Sequence, residues 1–375
     1  MADVFEYLAW RGDLDFNQSP LNPVDLMIFS QLSYIPFDGI VSGPDGKEGI
    51  SIDLAAKILN EKMETKKSGS GKKLEFMYRE DPLLINALAS SNRFRNCHLF
   101  DYVNQVDTKL EVQFSALCIY TGDSYIIVFR GTDAALVGWK EDFNMAFKEV
   151  IPAQLKAVKY LEEIAPLTKG ALHIAGHSKG GNLGIYASAY CGKDIQKRIK
   201  NIYSYDAPGF YNTVLTSDGF NTIKDKIQSY VPQSSVVGMF LEHAISSKIV
   251  KSTQIGLLQH SLYSWEVAYN DLIHVDDLTA RSRFVDKTLK EWLAGLSNEQ
   301  REKFIDTMFD ILNSSDAKSL YEFEASWLAS MGKIIKAIGH IDDPTRKLIR
   351  KTFRDLLRSA GRNIDTLLKQ ERHEN

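Results

Sequence analysis

The chain has 375 residues, of which 44% are hydrophobic and 25% charged, with a formal net charge of −3. This is the balance of a globular protein with a large core, in one large domain or two. The slight negative charge gives no basis for nucleic acid as the main partner.

Near the start, Asn22-Pro23 reads as an N-cap and a proline in the first helical turn, opening a helix through Leu32. Ile52 to Met63 reads as a second helix, Thr65 to Lys73 as a cationic, glycine-rich surface loop, and Pro82 to Ala89 as a further short helix. Strand and helix then alternate. Phe114 to Tyr120 and Ser124 to Phe129 are β-rich runs separated by Thr121-Gly122-Asp123, a hairpin signal. Ala153 to Ala165 is helix-like, Leu172 to Ala175 a strand, Asn182 to Cys191 a helix, and Ile199 to Tyr205, Lys226 to Val231 and Lys248 to Ser252 are strands. This alternation predicts a mostly parallel central sheet with helices on both faces, and a site at the carboxyl ends of its strands.

From about Arg283 the pattern turns helical. Ser297 and Gln300 suit a capping box, and Phe304, Met308, Ile311 and Leu312 follow at helical spacing. Leu320 to Ile338 and Ile349 to Leu368 carry two further apolar stripes, the last with Arg346, Lys347, Arg350, Lys351, Arg354, Arg358 and Arg362 on its polar positions. Residues 1–282 are therefore expected as the core and 283–375 as a C-terminal helical extension. Its stripes are expected to pack on that core, with a peripheral membrane contact or a partner interface as alternatives. Cys97, Cys118 and Cys191 have no metal-binding spacing and suit free, buried thiols. The acidic N-terminal stretch lacks the apolar centre of a secretory signal, and no apolar run is long enough to span a membrane, so the expected location is the cytoplasm.

The most informative stretch is Ala171 to Leu183, ALHIAGHSKGGNL. An apolar strand runs into Gly176-His177-Ser178-Lys179-Gly180, a G-x-S-x-G nucleophile elbow. A serine hydroxyl is a weak nucleophile unless a base takes its proton and the turn holds it clear of the backbone. The glycines leave room for that turn, and the following helix aims its first N–H groups, including that of Lys179, at a developing oxyanion. A glycine-rich strand-to-helix turn can also cradle phosphate, but strand before and helix after favour the elbow. His177 is expected to pack beneath the turn.

With such an elbow the partners follow in the order Ser, acid, His. Asp206, at the end of the strand Ile199 to Tyr205, is the candidate acid, with Asp218 and Asp225 as rivals. His260 is the candidate base, on a loop after the last strand with Tyr263 and Trp265 expected to begin a helix; His243 is the alternative. Phe129-Arg130-Gly131-Thr132 ends a strand expected beside the elbow, so the N–H of Thr132 pairs with that of Lys179 as the oxyanion donors. Arg130 is expected to brace this loop against a carboxylate.

These pieces resemble the lipase-like α/β hydrolases, particularly the class 3, fungal-type lipases. The matching residues are Phe129-Arg130-Gly131-Thr132, then Trp139 and Asp142, then Gly176-His177-Ser178-Lys179-Gly180-Gly181, within a region from about Ser115 to Trp265. The G-H-S-K-G-G elbow and helical tail look most like an uncharacterised bacterial branch of that group. The resemblance implies an α/β-hydrolase fold, Ser178 as nucleophile, and Thr132 and Lys179 as oxyanion donors. Two features depart from it. Class 3 lipases carry Leu where this chain has Lys179, and they place the acid one strand later, where this chain has Ser235. Tyr205-Asp206-Ala207-Pro208 is instead similar to the earlier acid position of pancreatic-type lipases.

The expected activity is cleavage of carboxylic esters, lipid or acyl, by a Ser178-His260-Asp206 triad with no cofactor or metal. The alternative is a catalytically silent scaffold that binds a partner or a membrane surface through its tail.

Overall fold

A computed structural model of the protein describes residues 2–43, 49–67, 76–133 and 136–313, and isolated positions between 347 and 358. The two predicted stripes after residue 314 and most of the loop read at Thr65 to Lys73 lie outside the described residues.

The N-terminal layer contains α1 (Val4–Arg11), α2 (Pro23–Leu32), α3 (Ile52–Lys67) and α4 (Asp81–Ser90). As predicted, Asn22 caps α2. Its side chain accepts from Val24 and Asp25 N–H, and Asp25 reaches back to the Asn22 N–H. Helix α3 continues through Thr65–Lys67, so those three residues are helical and not part of a loop.

The central sheet has eight strands in chain order, β1 (Ile50–Ser51), β2 (His98–Asp107), β3 (Val112–Tyr120), β4 (Ser124–Phe129), β5 (Ala171–His177), β6 (Ile199–Tyr205), β7 (Ile227–Pro232) and β8 (Lys248–Val250). Strands β1 to β4 pair antiparallel and β4 to β8 parallel. The expected hairpin joins β3 to β4. Each parallel crossover carries a helix or loop. Helices α5 (Leu136–Asn144) and α6 (Pro152–Ile164) precede β5; α7 (Lys179–Tyr190) and α8 (Lys193–Arg198) precede β6; α9 (Asn212–Leu215) and α10 (Asp218–Ile223) precede β7. Helices α11 (Ala280–Ala294) and α12 (Asn298–Asn313) follow.

Both faces of the sheet are buried. In β4, Ile126 and Val128 pack with the N-terminal layer, whereas Ile127 and Phe129 pack with α6 and α7. That alternation is the period of two of a strand covered on both sides. The architecture is an α/β-hydrolase fold. The three cysteines are free and buried. Among the described residues no helix is long and apolar enough to cross a membrane.

Candidate active site

The site is set by the register of three strands. His177 at the end of β5 pairs with Tyr205 at the end of β6, which pairs with Tyr230 in β7. Ser178 and Asp206 are each one residue beyond those ends. Ser178 donates its N–H to the Tyr205 carbonyl (2.8 Å), and Asp206 donates its N–H to the Tyr230 carbonyl (2.8 Å). Both turn sharply there, with φ of 57° at Ser178 and 46° at Asp206. Such backbone is strained for a residue with a side chain, at about 1–3 kcal/mol each, and persists only where the surroundings fix it.

The surroundings at Ser178 are backbone. A Cβ on Gly176 would strike the carbonyl of Gly180, and one on Gly180 would strike the carbonyl of Phe129. The elbow, the start of α7 and the end of β4 therefore touch main chain to main chain. A Cβ on Gly131 would lie 3.0 Å from Cβ of Ser178, so the loop after β4 runs beside the nucleophile position. The N–H groups of Thr132, next after Gly131, and of Lys179, next after Ser178, take no acceptor among the described residues.

The structure brings Asp206 and His260 together. His260 Nδ1 lies 2.7 Å from Asp206 Oδ2. The other oxygen, Oδ1, accepts from Ser235 Oγ (2.5 Å) and from the Gly238 N–H (3.1 Å). Ser235 marks the later acid position of the class 3 pattern, and here its hydroxyl meets the carboxylate that comes from the earlier strand. The rivals Asp218 and Asp225 are exposed on α10 and the turn after it, and His243 is exposed beside Gly209.

His260 ends a 3-10 turn, Gly256–His260, and a second turn, Leu262–Ser264, follows instead of the expected helix. The aromatics there anchor the loop. Trp265, fully buried, donates Nε1–H to the Gln259 carbonyl (2.8 Å). Tyr263 stacks on Phe5 and donates to Asp81 Oδ1 (2.8 Å), which also accepts from Gln31 (3.0 Å). Burial pushes the Asp81 carboxyl above its ordinary value.

His177 does more than fill space under the turn. Its ring lies 4.4 Å from that of His260, its Nε2 is 2.8 Å from the His260 carbonyl, and its Nδ1 is 2.9 Å from the Tyr34 hydroxyl. A carbonyl only accepts, so Nε2 carries the proton and Tyr34 O–H donates to Nδ1. Burial, and then the nearby His260, push the His177 pKa well below the ordinary imidazole value, so the ring is neutral. His177 thus joins the elbow to the histidine loop, and Tyr34, from the turn after α2, holds its ring. No sequence pattern pointed to Tyr34.

Arg130 reaches Asp133 (3.4 Å) and Asn104 (3.1 Å), bracing the loop as expected. Thr132 Oγ1 donates to Asp142 Oδ2 (2.6 Å). The side chain of Lys179 is buried and donates to Glu141 Oε2 (2.8 Å), with Asp142 Oδ1 at 3.4 Å. Sequence reasoning missed Glu141; the signal available was that a lysine buried in an elbow helix needs a buried counter-charge.

The carboxyl edge of this α/β-hydrolase sheet thus carries a strained serine on a strand-to-helix turn and, one strand on, a buried carboxylate that holds a histidine, on a lipase-like build. Residues 88–310, over half of the chain, match the profile of the Mbeg1-like family, and the chain belongs to that family. No curated protein matches it. Among solved structures it is similar to M37 lipase, at 15% identity and a TM-score of 0.35, over 58% of this chain and 69% of that one. It is also similar to the Rhizomucor miehei lipase propeptide complex, at 13% identity and 0.34, over 45% and 59% respectively, which is less than two thirds of that chain. The Lip2 lipase of Yarrowia lipolytica matches at 14% identity and 0.32, over 62% and 88%.

Proposed function

We propose that the protein is a serine hydrolase that cleaves carboxylic esters, lipid or acyl, through an acyl-enzyme. The observation that carries this reading is the 2.7 Å contact of His260 Nδ1 with Asp206, at strand ends adjoining the strained Ser178. With Nδ1–H donated to the carboxylate, Nε2 is free to accept a proton. Ser178 Oγ attacks the ester carbonyl while His260 takes its proton, and the imidazolium is stabilised by Asp206, which stays ionised. The oxyanion of the tetrahedral intermediate is met by the N–H groups of Thr132 and Lys179. Collapse expels the alkoxide, which takes the proton from His260. Water, activated by the same base, then releases the acid and restores Ser178.

A fluorophosphonate probe and a panel of esters of increasing acyl length test this. The protein should label on one serine and hydrolyse part of the panel. Ser178→Ala should abolish both and leave thermal stability nearly unchanged. An unlabelled wild-type protein that turns over no ester would instead support a silent scaffold, and labelling that persists in Ser178→Ala would place the nucleophile elsewhere.

A further inference from the structure

Lys179 carries a charge where the lipase pattern has an apolar residue, and the structure gives that charge a definite position. The residue begins α7, where a helix disfavours a cation because its first N–H groups already present partial positive charge. The side chain is nevertheless 1% exposed. Two adjacent carboxylates of α5 compensate it.

Each of these carboxylates leads to a further element. Glu141 Oε2 also accepts from the Gln113 N–H in β3 (3.1 Å), and its Oε1 accepts from the Ala153 N–H at the start of α6 (3.0 Å). Asp142 Oδ2 holds the hydroxyl of Thr132, in the loop beside Ser178. One ammonium therefore ties α5 to the elbow helix and, through Asp142, to Thr132. The same residue, Lys179, begins α7 directly after Ser178 and so carries the backbone N–H next to the nucleophile position. We propose that the Lys179 ammonium is a positioning group for the oxyanion site. It fixes the Thr132 N–H through Asp142, while the Lys179 main chain supplies the second donor. This rests on the serine-hydrolase reading.

The charges support the geometry. Burial alone would lower the Lys179 pKa; Asp142 and Glu141 outweigh it and leave the pKa raised. Burial pushes the Asp142 carboxyl up, and Lys179 and Thr132 pull against that. Without the ammonium, the buried Glu141 and the half-buried Asp142 would adjoin with no cation between them, which favours uptake of a proton. A protonated Asp142 no longer holds Thr132 as a plain acceptor does.

The test uses the full chain, a short-chain p-nitrophenyl ester and the fluorophosphonate labelling rate. Lys179→Met and Thr132→Val remove the two ends of the link and leave both backbone N–H groups in place. Each is expected to lower kcat on the order of 10²-fold, the scale of one misplaced oxyanion donor, with KM within about threefold. The double variant should lose little more than either single one, because both break one link. Thr132→Ser, which keeps the hydroxyl, should recover most of the kcat that Thr132→Val loses. Should Lys179→Met not fold, Lys179→Met/Asp142→Asn keeps the net charge of the cluster, and the same loss in kcat is expected there. Wild-type kcat in the Lys179 variants, losses that multiply in the double variant, or an effect confined to KM would overturn the positioning role. If Ser178→Ala still hydrolyses the ester, the serine-hydrolase reading itself fails, and this proposal with it.

Discussion

At Asp206 every contact to the carboxylate comes from a donor: His260 Nδ1, the Ser235 hydroxyl and the Gly238 N–H. An amide there would turn an N–H₂ toward one of these donors and would favour the wrong imidazole tautomer. Asp206→Asn is therefore expected to reduce kcat on the order of 10⁴-fold, the scale seen when a triad acid is neutralised. Ester turnover by the purified variant checks it, and near-normal kcat would remove Asp206 from the proposed triad. His177 makes a separate prediction. Its pKa is depressed in the folded state, whereas the unfolded chain protonates near pH 6.5. Its contribution to stability is therefore complete above about pH 6.5 and is lost as pH falls below it, by up to ~1.4 kcal/mol per pH unit. The Tm of wild type relative to His177→Gln should fall steadily from about pH 7.5 to about pH 5; a difference independent of pH would mean that the ring is not shielded from protonation. The positions of Ser178, Asp206 and His260 at the ends of strands and of a turn were legible in the sequence, because the strands and the turn signal before them are readable. Tyr34 was not, since it meets His177 across 143 positions and follows α2 with no local signal of chemistry.

Among the elements, the elbow depends on contacts between backbones that cannot move aside. Gly180→Ala would drive a methyl group into the carbonyl of Phe129, in a strand paired on both sides. It should cost more than ~2 kcal/mol, the upper range for overpacking. Gly256→Ala, where φ is +57° but nothing lies within 4 Å, should cost only ~1 kcal/mol of left-handed strain. Chemical denaturation of the two variants distinguishes them, and equal losses would contradict the close main-chain packing. Elements with chemical punctuation were legible. Asn22-Pro23 opens α2 as read, and Ser297 and Gln300 exchange reciprocal hydrogen bonds before α12 (3.0 and 3.3 Å). Strand β2 was not. Its register breaks between Phe100 and Val103, with Asp101 at φ 53°, so the sequence HLFDYVNQVD shows no clean alternation. The stretch after His260 was misread for a related reason. Its aromatics suggested a helix, but Trp265 and Tyr263 are committed to pinning two 3-10 turns.

For the molecule as a whole, the boundary drawn at residue 282 meets a shared core. Phe304, Ile305 and Phe309 of α12 pack with Ala146 and Phe147, just after α5. The Phe309 ring lies 5.9 Å from that of Phe143. Arg301 donates to the Ala146 carbonyl (2.9 Å), and Lys140 bridges Glu111 (2.6 Å) and Asp306 (3.0 Å). The family match also runs through this point, to residue 310. We propose that α11 and α12 belong to the hydrolase unit and brace the segment that carries Glu141 and Asp142. Phe309→Ala should then cost about 3–5 kcal/mol, as for a buried aromatic truncated in a core. Because α5 carries the contacts to Lys179 and Thr132, the same variant should lower kcat for an ester at temperatures where it remains folded. A chain ended after residue 282 should lose cooperative unfolding, since Ala146 and Phe147 would be left uncovered. Calorimetry with parallel turnover measurements checks both. A truncated chain that melts in one sharp transition, at the wild-type temperature and with wild-type kcat, would make the C-terminal helices an independent appendage.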